Sequence, residues 1–93
     1  MRNTLSEADR RNLRTKLVAM IEASNAELDG RLADETSLIK SGKLDSLGLF
    51  NLAIFVEREV GHKVDIASFD LATEWDTITD IVNFIGKLRI GQA

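Results

Sequence analysis

Hydrophobic residues in the first quarter of the chain return with the period of a helix. Leu13, Leu17, Met20 and Ile21, followed by Ser24, fall on one face, while Arg10, Arg11, Arg14, Lys16 and Glu22 fill the others. The spacing predicts an amphipathic helix from Ser6 to Ser24, opened by Ser6 and Asp9 as a capping box with a shortened acidic partner. Its four cations read as a solvated face. From Asn25 to Asp45 the period fades. Gly30, Ser37, Ser41 and Gly42 interrupt the apolar residues Leu28, Leu32, Leu38, Ile39 and Leu44, which predicts a long structured loop kept in order by Leu38 and Ile39 tucked under the helices. Loops of about 20 residues are uncommon in compact domains and tend to be functional.

The second helix, Ser46 to Val60, is apolar on more than one face. At about 100° per residue, Leu49, Leu52, Ala53, Val56 and Val60 form one stripe that suits the core side of a bundle helix. Leu47, Phe50 and Ile54 form another, roughly a third of a turn away. A helix apolar over so much of its circumference is either buried on two sides or keeps one side for a partner. Gly61 stops it. Val64 to Glu74 reads as a short third helix or single turn with Ile66, Phe69 and Leu71 facing inward. Thr77 and Asp80 form a second shortened capping box, and Ile78, Ile81, Val82, Ile85 and Leu88 mark a last amphipathic helix up to Gly91, with Gln92 and Ala93 as a frayed end. The fold class predicted is all-α, a four-helix bundle with a long loop between its first two helices and a short third helix.

Composition narrows the function. At 93 residues with 44% hydrophobic side chains, the chain suits one domain with one core. Fifteen acidic against twelve basic side chains leave a net charge of -3, which gives no electrostatic reason to bind nucleic acid or an anionic membrane. With no cysteine there is no disulfide framework, thiolate metal site or cysteine nucleophile, so any thiol must be added. No apolar run approaches a membrane span and the N-terminus lacks a secretory stretch, so the expected compartment is the cytoplasm.

The string Gly42-Lys43-Leu44-Asp45-Ser46-Leu47 ends the loop and opens the second helix. The Ser46 hydroxyl therefore sits among the first backbone N–H groups, where helix dipole and free amides favour an anion by about 0.3 to 1 kcal/mol. Asp45 and Ser46 are both good N-cap residues, and either can serve as one. The longer run Ser37-Leu38-Ile39-Lys40-Ser41-Gly42-Lys43-Leu44-Asp45-Ser46-Leu47 closely resembles the attachment site of acyl carrier proteins and other phosphopantetheine-binding carrier domains. In that family an Asp-Ser-Leu triplet opens the second helix, preceded by a hydrophobic pair and a glycine, here Leu38, Ile39 and Gly42. The likeness continues through Leu52, Glu57 and Val60 and through Asp76-Thr77-Ile78-Thr79-Asp80-Ile81-Val82, and covers nearly the whole chain.

The resemblance implies a bundle of the acyl carrier protein type and a single carrier domain over residues 1–93. Ser46 would accept 4'-phosphopantetheine from coenzyme A through a magnesium-using phosphopantetheinyl transferase, with Asp45 at that transferase's metal site. Leu47, Phe50, Ile54 and Glu57 would meet partner proteins. Those partners would be the transferase, a cargo-loading ligase or synthase, and downstream transferases, visited by a monomeric carrier that performs no reaction itself. Strongly acidic members of the family carry carboxylates along the second helix. This chain shows Gly48, Asn51 and Arg58 there, with Glu57 and Glu59 remaining, which shifts recognition towards shape and apolar contact and suits a discrete carrier of specialised biosynthesis. The segment from Asp65 to Asp76 is longer than usual for the family and contains Trp75, read as a packing residue.

Other chemistries fare poorly. Leu44-Asp45-Ser46-Leu47-Gly48 misses the Gly-x-Ser-x-Gly elbow at its first position, and no strand pattern precedes it. The one histidine, His62, lies about 24 Å along the same helix from Ser46, out of reach as its base, and reads as a helix C-terminal residue facing free carbonyls. Asp65, Asp70, Glu74, Asp76 and Asp80 lack the spacing of a calcium loop and read as solvent-facing and capping residues. The alternative from another class is a small helical adaptor that binds a partner through Leu47, Phe50 and Ile54 without modification.

Overall fold

A computed structural model describes residues 5–24, 30 and 32–90. Among them are four α-helices and no strand: α1 (Glu7–Ser24), α2 (Ser46–Val60), the single-turn α3 (Leu71–Glu74) and α4 (Ile78–Ile90), with a 3-10 turn at Ile66–Ser68. Leu28, Gly91, Gln92 and Ala93 lie outside the described residues, as does the side chain of Ser24.

The start of α1 is the predicted capping box: Asp9 N donates to Ser6 Oγ at 3.0 Å, and Ser6 N donates to Asp9 Oδ2 at 3.3 Å. At α2 the cap is Asp45, whose Oδ1 accepts from Gly48 N at 2.8 Å. Gly61 ends α2 in the left-handed region at φ 85°, its N–H donating to Glu57 O at 2.9 Å. A residue with a Cβ is disfavoured in that conformation, so glycine is the natural stop. At α4, Thr77 Oγ1 accepts from Asp80 N at 3.0 Å.

The core forms where the helical stripes meet. Leu13, Leu17 and Ile21 of α1, Leu52, Val56 and Val60 of α2, and Ile78, Ile81, Val82 and Ile85 of α4 are buried together with Leu38 and Trp75. Fully burying one such side chain stabilises the fold by about 1.5–3 kcal/mol. The helix α4 packs against α1, α2 and α3, and α1 packs against α2, so α4 is the element most others lean on. Leu49 and Ala53 of the predicted core stripe sit at its margin, partly buried. Trp75 is fully buried and packs edge-on to Phe84 at 5.5 Å between ring centroids, with Phe69 against both.

Ile66 corrects the expected inward face of the third segment, because it is exposed on the 3-10 turn. Phe69, extended at the end of that turn, takes the place against Trp75 and Phe84 instead. His62 also departs from expectation. The helix has already ended at Val60, and His62 Nδ1 lies 2.9 Å from the carbonyl oxygen of Lys63 rather than against a helix carbonyl. Nor are the cations of α1 all left to solvent. Arg10 donates to Asn83 Oδ1 at 2.9 Å, Lys16 pairs with Glu59 at 3.1 Å and Arg14 with Asp34, so α1 is tied to α4, α2 and the loop. No helix among the described residues is long and apolar enough to cross a membrane.

Candidate attachment site and second-helix face

The segment before Ser46 is a run of turns held from the far side of the molecule. Asp76, between α3 and α4, is only 8% exposed. Its Oδ1 accepts from Ser37 Oγ at 2.9 Å, Ile39 N at 3.0 Å and Lys40 N at 2.9 Å. Its backbone oxygen takes Leu38 N at 2.6 Å. The N–H of Lys40 does most to hold the Asp76 carboxyl below its ordinary value; burial works against it, and Ser37, Ile39 and the Lys40 charge add to the lowering. Expected as a solvent-facing or capping residue, Asp76 is instead the buried anchor of the loop.

Inside the loop, Ser41 Oγ donates to Ser37 O at 2.6 Å, Gly42 N donates to Ile39 O at 3.1 Å and Leu44 N donates to Leu38 O at 3.2 Å. Gly42 turns the chain at φ 77°, the left-handed region that favours glycine. Leu38, fully buried as predicted, pins this hairpin-like run to the core. A second clasp lies nearer α1: Thr79 N donates to Asp34 O at 3.2 Å, and Thr79 Oγ1 donates to Glu35 Oε2 at 2.8 Å.

Ser46 follows as the first residue of α2, exposed, and among the described residues no hydrogen bond occupies its Oγ. Asp45, not Ser46, is the N-cap, which leaves the serine hydroxyl free of that duty. The same bond places a carboxylate at the helix mouth, where it already engages one of the first-turn amides. An anion joined to Ser46 therefore meets a like charge beside it, and a divalent cation would offset both. Gly48, expected on the surface, is buried: a Cβ there would lie 3.0 Å from Leu44 Cδ2 and 3.3 Å from Asp45 Oδ1. Its missing side chain lets the loop's last leucine and the capping carboxylate close over the first turn.

Beyond Ser46 the second apolar stripe of α2 faces outward. Leu47 is 65% exposed, Phe50 62% and Ile54 39%. Glu57 behaves differently, since its Oε2 accepts from Val64 N at 2.9 Å and ties the chain after Gly61 back to the helix. With Glu59 paired to Lys16, both carboxylates of α2 have partners within the molecule, and the outward face joins the apolar Leu47, Phe50 and Ile54 to one exposed cation, Arg58, a turn beyond Ile54. Among the described residues no group of three acidic or histidine side chains is arranged to hold a metal ion.

Comparison of the chain with protein-family models, with curated proteins and with solved structures finds no match.

Proposed function

We propose that this protein is a discrete carrier of the acyl carrier protein type, holding acyl or aminoacyl intermediates as thioesters on a 4'-phosphopantetheine arm attached to Ser46. The observation that supports this most is the exposed, unengaged Ser46 hydroxyl at the mouth of α2, directly followed by an outward strip of Leu47, Phe50 and Ile54. The arm fits this position, because the serine has no competing hydrogen bond among the described residues and its neighbour Asp45 already does the capping.

Attachment is a phosphoryl transfer. Ser46 Oγ forms a bond to the coenzyme A phosphorus that bears pantetheine, the pyrophosphate P–O bond breaks, adenosine 3',5'-bisphosphate leaves, and the hydroxyl proton passes to a base of the transferase or to water. Asp45 would lend its carboxylate to the transferase's magnesium, which offsets the crowding of negative charge at the helix mouth. The arm supplies the thiol that this cysteine-free chain lacks. A ligase or synthase would load it, and downstream transferases would unload it, each docking on Leu47, Phe50 and Ile54. The chain contributes presentation and no reaction of its own, as a cytoplasmic monomer.

Intact-mass measurement after incubation with coenzyme A, magnesium and a broad-specificity phosphopantetheinyl transferase tests the proposal. The wild type is expected to gain one phosphopantetheine and Ser46→Ala none. A wild type that stays unmodified, while Ser46→Ala keeps every partner the wild type binds, would make the chain an unmodified helical adaptor instead.

A further inference from the structure

We infer that Asp76 is a positioning residue for Ser46, acting through the loop rather than by contact; the inference rests on Ser46 being the attachment site. The two residues are 30 positions apart and belong to different helix ends. What joins them is a continuous set of bonds. The Asp76 carboxylate gathers Ser37, Ile39 and Lys40, and its carbonyl takes Leu38. Leu38 O in turn holds Leu44 N, and the Leu44 side chain closes against Gly48, where the Asp45 carboxylate is also bound. Ser46 lies between Asp45 and Gly48 on that same turn.

A buried carboxylate with three donors converging on one oxygen is a costly arrangement unless every bond is made. Removing it leaves the amides of Ile39 and Lys40 without their acceptor and loosens the run from Ser37 to Leu44, which is then held chiefly by Leu38, through its burial and its bond to the Asp76 carbonyl. A transferase would then have to order that run on docking, an entropic charge that appears in binding and not in the chemical step. Asp76 thus makes the α3–α4 junction set how the attachment serine is presented.

The test compares transferase kinetics for wild type, Asp76→Ala, Ser37→Ala and the control Ile85→Val, which weakens core packing and leaves the loop's bonds in place. Asp76→Ala is expected to raise KM for the carrier about tenfold with kcat within about twofold, and Ser37→Ala, which removes one of the three donors, to raise it about threefold. Ile85→Val is expected to leave KM unchanged. Should Asp76→Ala fail to fold, Ser37→Ala carries the comparison. Wild-type KM in both loop variants, or an equal rise in the Ile85→Val control, overturns the inference.

Amide hydrogen exchange on the unmodified protein separates this outcome from failure of the attachment reading. Faster exchange at Leu44 and Gly48 in the Asp76 or Ser37 variant, with α1 unchanged, shows that Asp76 orders the turn that carries Ser46, so that a failure of arm uptake then counts against the attachment reading and not against this coupling. Uniform exchange across the molecule sinks it.

Discussion

Asp76 shows how one side chain can matter through its acceptors alone. Three donors meet one carboxylate oxygen in a nearly buried setting, so Asp76→Ala is expected to cost about 2 kcal/mol of stability, read as a lower urea midpoint with an unchanged slope. The pH dependence follows from the lowered carboxyl. Above 3.8, its ordinary value, the folded and unfolded chains both carry the ionised form and the contribution is complete. As pH falls below 3.8 the unfolded chain takes up the proton first, and the contribution is lost on the way down to the lower folded value. The stability gap between wild type and Asp76→Asn is therefore expected to be constant above about pH 5 and to shrink on acidification, with Lys40 as the nearby cation that favours the ionised form. A gap that widens in acid would contradict this. Asp45 caps α2 and, under the proposed function, also serves arm transfer, and substitution can separate the two. Asp45→Asn keeps an N-cap of equal quality and removes the charge, so thermal stability is expected to hold while arm transfer slows; Asp45→Ala is expected to lose about 1 kcal/mol as well.

Among the elements, α2 is unusual in burying one stripe while exposing another. Gly61→Ala is expected to destabilise it by about 1 kcal/mol, because the left-handed stop admits a Cβ poorly. The helices were legible from hydrophobic period and caps, since both signals lie within a few residues of each other: Leu13, Leu17 and Ile21 on α1 and Ile78, Ile81 and Ile85 on α4 are buried where the pattern puts them. Features built by residues distant in sequence were not legible. Gly48 is the local exception: Leu44, which covers it, stands only four positions earlier, but it belongs to the loop, where the helical period says nothing about packing. Asp76 resembled its acidic neighbours because its donors lie 36 to 39 residues away. Ile66 and Phe69 are both apolar and three apart, and only the geometry of a single 3-10 turn decides which of them faces the aromatic cluster.

On the scale of the molecule, the interior and the outward strip answer to different tests. Val56→Ala, in the closed core, is expected to cost about 2–3 kcal/mol. Phe50→Ser changes an exposed ring and is expected to stay within about 0.5 kcal/mol of wild type in stability while raising the KM of a partner enzyme about tenfold. Glu57 and Glu59 are paired within the molecule and Arg58 is left as the exposed charge of the strip, so the affinity of a partner for the proposed docking face is expected to fall only modestly with salt. Tenfold weakening between low and physiological salt would point to charged recognition instead.

Site-resolved mass spectrometry of the chain after arm transfer gives the most direct test of the account. Fragmentation is predicted to place a single phosphodiester-linked pantetheine on Ser46, leaving Ser37 and Ser41 in the adjoining loop untouched. An unmodified chain, or a modification mapped to either loop serine, would contradict it.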